Sequence, residues 1–208
     1  MAITLNNGFK MPIVGLSVWR MEGKDIRDLI INAIKIGYCH FDCAVRGTGS
    51  ALDEDGVLEI DTTYLIRNHL ACYGRSSCSN YDIFLTRDCL AYAKPKPAVN
   101  HIETHPYFQH DSLVKFCQKH GICVTAQTPL SEGLAEKYKK TVAQIVLKWG
   151  MQWNTVVIPK TSKLERLKEN YQVFKFEESK EDMDMIKSMD RKYRTNQPAK
   201  FWGIDLYA

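Results

Sequence analysis

The chain has 208 residues, 45% of them hydrophobic and 25% charged, and a formal net charge of +4 at pH 7. This composition and length are typical of a single globular domain. The basic residues are interspersed with acidic ones, which argues against a nucleic-acid-binding protein, and no stretch is apolar enough to span a membrane.

The N-terminus and the cysteines indicate a reducing compartment. Residues 1–8 lack the basic start and the apolar run of a secretory signal peptide. The seven cysteines are an odd number at scattered spacings and form no C-x-x-C pair, so free thiols are expected. We therefore predict a cytoplasmic protein.

The first part of the chain predicts a hairpin, two strands and a helix. Asn7-Gly8 separates two short segments and predicts a type I′ hairpin over residues 3–12. Residues 13–19 and 38–44 are apolar enough for buried strands. A stripe of apolar residues at helical spacing lies between them and predicts a helix.

The later part of the chain has clearer patterns than residues 57–78, which have too little periodicity to assign. Residues 111–120 predict a short amphipathic helix, and the apolar residues 122–126 predict a strand. Thr141 with Gln144 predicts a capping box at the start of the next helix.

A strand, a turn and a basic helix follow one another over residues 156–170. Pro159 ends the apolar run because it has no N–H for a ladder, and Ser162 with Glu165 predicts a capping box. The start of such a helix attracts anions, and Lys160, Lys163 and Arg166 add positive charge there. The spacing alone slightly favours the alternative, a buried strand followed by a solvated basic helix without a ligand.

This stretch resembles the adenosine 2′-phosphate site of the aldo-keto reductases. The resemblance rests on Ile158-Pro159-Lys160-Thr161, followed by Arg166 and Glu169-Asn170. It implies that Lys160, Thr161 and Arg166 hold the 2′-phosphate and that Glu169 and Asn170 border the adenine. The implied cofactor is NADP(H), because the extra phosphate requires paired cations.

Other segments resemble the same family and imply further site residues. Asp42, within His-Phe-Asp-Cys-Ala, matches a catalytic-site aspartate, and Ser79-Asn80 matches the pair that holds the nicotinamide carboxamide. The implied substrate residues are Trp19, at the end of the first strand, and Trp202, in a tail similar to that of the polyol-phosphate branch. The family has Gln where His101 stands, and a neutral imidazole partly replaces its hydrogen bonds.

The resemblance breaks after residue 44. The family's catalytic Tyr is expected five residues after Asp42, where this chain has Gly47, and its catalytic Lys and His have no match. We therefore predict an incomplete (β/α)₈ barrel with an N-terminal hairpin, lacking about two strand–helix units. It forms a single domain over residues 1–208, with residues 45–78 divergent. Exposed sheet edges predict self-association.

Three hypotheses follow for the function. In the first, the chain is an NADPH-dependent reductase of an aldehyde or ketone, such as a sugar phosphate, and a nearby residue such as Tyr81 replaces the missing proton donor. Alternatively, it is a non-catalytic NADP-binding remnant, or a truncated product that lacks a stable ligand site or assembles with other chains. No metal is expected, because His101, His105 and His110 do not share a helical face.

Overall fold

The computed structural model describes residues 1–18, 21, 24–42, 77–127 and 135–195. Its strands are β1 (Ala2–Thr4), β2 (Lys10–Pro12), β3 (Leu16–Ser17), β4 (Phe41–Asp42), β5 (Ser77–Ser79), β6 (Val99–Glu103), β7 (Cys123–Gln127) and β8 (Val156–Val157). Its α-helices are α1 (Lys24–Ile36), α2 (Ile83–Tyr92), α3 (Asp111–Lys119), α4 (Ala135–Tyr138), α5 (Val142–Gln152), α6 (Leu164–Tyr171) and α7 (Lys180–Ser188), and a 3₁₀ helix (Gln172–Lys175) follows α6.

Parallel strands form the centre of the molecule. Strands β5, β6, β7 and β8 pair in that order, and β3 pairs with β4. Parallel bridges from Val14 to Val157 and from Ser17 to Lys160 join the two groups, which gives the order β5-β6-β7-β8-β3-β4. Within the described ranges, β4 and β5 each pair with a single neighbour. This is the arrangement expected of a barrel that lacks two of its eight strands.

The N-terminal hairpin is confirmed, but its predicted turn type is wrong. The N–H of Gly8 donates to the carbonyl of Leu5 at 3.0 Å, and the N–H of Leu5 donates to the carbonyl of Phe9 at 2.8 Å. Gly8 has a φ of +86°, whereas Asn7 is not left-handed. A type I′ turn requires two left-handed residues; this loop closes with one, which is the three-residue hairpin pattern.

Successive residues of each strand face opposite sides of the sheet. The first residues of β6, β7 and β8 face inward, where Leu5 and Met11 of the hairpin cover them. Leu16, Phe41 and Val157 face outward and pack in one cluster with α1 and α6. The hairpin therefore closes the amino-terminal end of the strands, and the carboxyl ends remain for a site.

Close contacts between α1 and α6 place α6 firmly beside the sheet. Gly37 ends α1 with a φ of +117°, and a Cβ there would lie 2.7 Å from the Tyr171 hydroxyl oxygen. That hydroxyl donates to the carbonyl of Gly37 at 2.8 Å, and the Tyr38 hydroxyl donates to the carbonyl of Leu167 at 3.0 Å. A side chain at position 37 would break this junction.

Candidate functional site

Polar residues of three neighbouring strands meet at the carboxyl ends of the sheet. Ser17 is the register partner of Asp42 on β4 and of Lys160 after β8, so all three lie on the same inner face. The Ser17 hydroxyl donates to the Asp42 carboxylate at 3.2 Å. The carboxyl ends of parallel strands are where barrel folds place their active sites. Asp42 therefore lies where a catalytic-site residue is expected.

His101 and Thr125 extend this inner face on the other side of β8. They are register partners on β6 and β7, and the residues that follow and precede them, Ile102 and Val124, pack outward against α3. The His101 Nε2 and Thr125 Oγ1 atoms are buried and have no hydrogen-bond partner among the described residues. Because an unpaired buried polar atom costs free energy, adjacent unpaired atoms suggest a ligand or water position.

Burial and the charge of Asp42 have opposite effects on the pKa of His101. Burial lowers the pKa of the His101 imidazole below its ordinary value, and the Asp42 carboxylate opposes that effect. Burial thus favours the neutral form of the imidazole. His101 and Asp42 both lie on the inner face of the sheet.

Ser79 and Asn80 lie beside His101, at the carboxyl end of β5. Ser79 is the register partner of His101, and the Asn80 N–H donates to the His101 carbonyl at 2.8 Å. Asn80 is left-handed, with a φ of +56°, and its side-chain amide donates to the Ser79 hydroxyl at 3.4 Å. Both side chains are exposed, so their polar atoms remain accessible to a ligand.

The predicted capping box of Ser162 and Glu165 is wrong. Helix α6 begins at Leu164 with Lys163 as its N-cap, and no side chain caps it. Instead, the Thr161 hydroxyl accepts the Lys163 N–H at 3.1 Å. This local turn competes with the capping geometry and displaces the helix start by one residue. Within the part of the chain that the structure describes, the first turn of α6 consequently has no side-chain acceptor for its N–H groups.

Two exposed cations flank this uncapped helix start. Lys160 precedes it and Arg166 lies in its first turn, while Thr161 between them is buried. A helix N-terminus with free N–H groups carries a partial positive charge. The arrangement therefore suits an anion with several acceptor oxygens, such as a phosphate.

The far end of α6 is anchored to α5. The Glu169 carboxylate accepts the Thr141 hydroxyl, and the Gln144 side-chain amide donates to the Glu169 carbonyl at 3.0 Å. Thr141 and Gln144 also form the predicted capping box of α5. Asn170 is only 4% exposed, and its Oδ1 atom has no hydrogen-bond partner in the described part of the chain. Asn170 thus offers a buried acceptor within the same helix that starts at the anion site.

Tyr81 lies on the other side of the sheet from Asp42. Its carbonyl accepts the Asn100 amide at 2.9 Å, and the Asn100 side chain faces α3. Tyr81 also lines a cavity of about 560 Å³ with Phe84 and Leu113. This position does not favour Tyr81 as the rebuilt proton donor.

Two predicted substrate residues, Trp19 and Trp202, lie outside the described residues. Conversely, Ser17 and Thr125 were not predicted as site residues. The sequence pattern could have identified them, because every second residue of a strand lies on the same face. Ser17 and Thr125 each lie two or four residues from another inner position on their strands.

Over the described ranges, no group of three His, Cys, Asp or Glu side chains is arranged to hold a metal ion. Nor does any helix there have the length and apolarity needed to cross a membrane.

Comparisons with known proteins agree with this geometry. Residues 132–191 match the model of the Aldo/keto reductase family. NADP-dependent D-sorbitol-6-phosphate dehydrogenase of Malus domestica is 38% identical, and the alignment covers 99% of each chain. That alignment spans 307 positions, against 208 residues here. Aldose reductase B of Dictyostelium discoideum is 35% identical over 89% of this chain and 66% of its own length.

Solved structures show the same fold. The aldose reductase of Schistosoma japonicum superposes with a TM-score of 0.83 at 22% identity, covering 100% of this chain and 98% of its own. An aldo-keto reductase complexed with NADPH gives a TM-score of 0.79 at 22% identity, covering 100% of this chain and 93% of its own. The predicted incomplete (β/α)₈ barrel is confirmed.

Proposed function

This chain belongs to the aldo-keto reductase family, and we propose that it binds NADP(H) along the carboxyl ends of its parallel strands. The observation that supports this most directly is the uncapped start of α6 between Lys160 and Arg166. The cofactor also suits the unpaired buried atoms, because Asn170 Oδ1 would accept from an adenine amine and His101 Nε2 lies beside the predicted carboxamide site.

Each predicted residue has a role in this proposal. Lys160, Thr161 and Arg166 hold the 2′-phosphate, while Glu169 and Asn170 border the adenine. Ser79 and Asn80 hold the nicotinamide carboxamide. Trp19 and Trp202 contact the substrate. These roles are supported by the positions of the described residues and by the family to which the chain belongs.

The proposed reaction is the NADPH-dependent reduction of an aldehyde or ketone on a small molecule, in particular a sugar phosphate. The apple relative is named for a phosphorylated sugar alcohol, which supports that substrate class. Bound NADPH would supply the hydride, and a general acid would have to supply the proton to the product oxygen. Asp42 is the proposed catalytic-site residue on the described inner face.

The second candidate function is NADP(H) binding without turnover. Gly47 stands where the family's catalytic Tyr is expected, and no lysine occurs between Lys35 and Lys94. The general acid that protonates the product oxygen contributes roughly 10²–10⁴-fold to such reactions. Loss of the general acid does not remove the residues proposed to bind the cofactor, so the chain would still bind NADP(H) without catalysing the reaction. A third possibility is a truncated product without a stable ligand site, or a module that assembles with other chains.

One titration followed by one assay separates these functions. NADPH is added to the purified chain while its melting temperature is followed, since a ligand of the native state stabilises it. An aldehyde sugar phosphate is then added, and NADPH oxidation is followed for the wild type and for Asp42→Asn. Stabilisation with turnover that Asp42→Asn abolishes supports the reductase. Stabilisation without turnover supports the binding protein, and no stabilisation contradicts both.

We also propose a cytoplasmic location and self-association through the sheet edges. The cysteines of the described residues are free thiols, in keeping with a reducing compartment. Strands β4 and β5 end the described sheet order and offer edge groups to a second copy. Light scattering over a range of concentrations tests this, and a constant monomer mass would contradict it.

A further inference from the structure

His101 on β6 and Asp42 on β4 are a pair of ionisable side chains on the inner face of the sheet. We propose that this pair makes the site discriminate between oxidised and reduced nicotinamide, to an extent set by whether His101 carries a proton. The inference rests on the proposed binding of NADP(H). It concerns cofactor affinity alone, and therefore applies whether or not the chain is an active reductase.

Both side chains face the inside of the sheet, where the nicotinamide is proposed to bind. Ser79, beside the predicted carboxamide site, is the register partner of His101, whose Nε2 atom is buried and unpaired among the described residues. Asp42 approaches from β4, held by the Ser17 hydroxyl at 3.2 Å. A ring bound between β5 and β4 would therefore lie within the field of both side chains.

The other ionisable groups on this face do not supply the same switch. From β7, Cys123 is a buried thiol whose pKa burial raises to about 12, so it stays neutral. Lys160, after β8, is exposed to solvent. On β6, the strand of His101, the Glu103 carboxylate accepts the Thr195 N–H at 2.6 Å and lies 3.2 Å from the His105 Nε2 atom. His40 lies two residues before Asp42, on the same face of the β4 side, and it needs its own control.

The two forms of the cofactor differ in charge at the ring. Oxidised nicotinamide carries a positive charge, and the reduced ring is neutral. With neutral His101, the Asp42 carboxylate favours the cationic ring. When His101 is protonated, its charge offsets that of Asp42, and the preference for the oxidised form falls. The field of one unit charge at close range changes such an affinity ratio by roughly fivefold or more.

The direction of the pH dependence follows from burial. Because burial lowers the pKa of His101 and Asp42 opposes this only in part, the neutral form predominates at neutral pH. The ratio of NADP⁺ affinity to NADPH affinity should therefore fall as the solution is acidified. The cofactor's 2′-phosphate also titrates near pH 6, but it is common to both forms and cancels in the ratio.

The test measures dissociation constants of NADP⁺ and NADPH from about pH 8 to about pH 5.5, which spans the histidine range. For the wild type, the affinity ratio should fall by roughly fivefold or more toward acid. His101→Gln should make the ratio independent of pH. Asp42→Asn should shift the ratio toward NADPH at every pH and move the remaining decline to lower pH.

Two further histidine variants serve as controls. His120→Gln changes an exposed histidine at the end of α3 and should leave the pH dependence unchanged. His40→Gln should also retain it. If His40→Gln abolished the pH dependence while His101→Gln preserved it, the assignment to His101 would be overturned.

A spectroscopic readout makes the test independent of enzyme activity. The His101 imidazole protons are followed by NMR against pH in the free chain and in both complexes. The pKa of His101 should fall when NADP⁺ binds and change less with NADPH. If neither nucleotide binds, the proposed function itself fails. If both bind with a pH-independent ratio and an unchanged His101 pKa, only this inference fails.

Discussion

The two ends of the proposed nucleotide site are built in different ways. The phosphate end comes from one continuous stretch, residues 156–170, in which a strand, a short turn and α6 follow one another. The nicotinamide end combines Asp42, Ser79 and His101 from three separate strands, and β4 and β5 lie at opposite ends of the described sheet order.

This difference indicates which functions tolerate loss of chain. A locally built site needs only its own turn and the helix packing behind it. A site assembled from distant strands also depends on every element that sets their spacing. Loss of strand–helix units therefore affects catalysis first and phosphate binding last, which is why we separate cofactor binding from turnover.

The largest expected effect comes from removing the packing behind the phosphate end. Leu167 of α6 is 0% exposed and packs in the cluster shared with α1. Leu167→Ala should destabilise the chain by about 2–5 kcal/mol through lost burial and a cavity. Urea unfolding measures this loss. Leu164→Ala, at a residue of the same helix that is 40% exposed, is the matched control and should cost far less.

A pH-dependent loss of stability should arise away from both ends of the site. Glu178 is 5% exposed, and both its carboxylate oxygens lack a hydrogen-bond partner among the described residues. Burial raises its pKa to about 8, the nearby Asp182 adds to this, and Lys148 partly opposes it. The folded chain thus holds a proton that the unfolded chain releases above its ordinary pKa of about 4.3.

The sign of the Glu178 effect follows from that difference. Because the folded state binds more protons, stability is greatest below about pH 4.5 for this group and falls as pH rises to about 8. The loss should be on the order of 2–4 kcal/mol. Glu178→Gln should remove this part of the slope in urea unfolding at several pH values, whereas the exposed Glu177→Gln should keep it. An unaltered slope in Glu178→Gln would contradict the assignment.

A smaller effect is expected at the contact between α5 and α6. Thr141 caps α5 and donates to the Glu169 carboxylate. Thr141→Ala should cost about 0.5–2 kcal/mol through loss of the cap. Thr141→Ser keeps the hydroxyl and should recover most of that stability. Thermal unfolding compares the two variants, and equal losses would show that the hydroxyl is not responsible.

Much of the fold was predictable, because the relevant signals are local or periodic. The apolar stripe before Gly37 predicted α1, Thr141 with Gln144 predicted the cap of α5, and apolar runs predicted the buried strands. The strands are shorter than their apolar runs: β8 covers two residues. Apolar composition marks burial, whereas strand assignment requires continuous pairing with a neighbour.

The candidate site was only partly predictable. Asp42, Ser79 and Asn80 were found from a family resemblance. Ser17 and Thr125 emerged only once strand register showed which residues share the inner face. Similarly, Ser162 and Glu165 satisfied a capping pattern, but the Thr161 hydroxyl captured the Lys163 N–H. Sequence spacing cannot decide between two local acceptors that compete for the same turn.

The central claim is that residues 156–170 form a cation-lined site for the 2′-phosphate. The most direct measurement compares NADPH and NADH affinities for the wild type, Lys160→Ala, Arg166→Ala and the control Lys168→Ala, an exposed lysine later in α6. The wild type and Lys168→Ala should prefer NADPH. Each of the other variants should lose roughly ten- to hundredfold in NADPH affinity, with little change for NADH. Equal affinities of the wild type for the two nucleotides would contradict the claim.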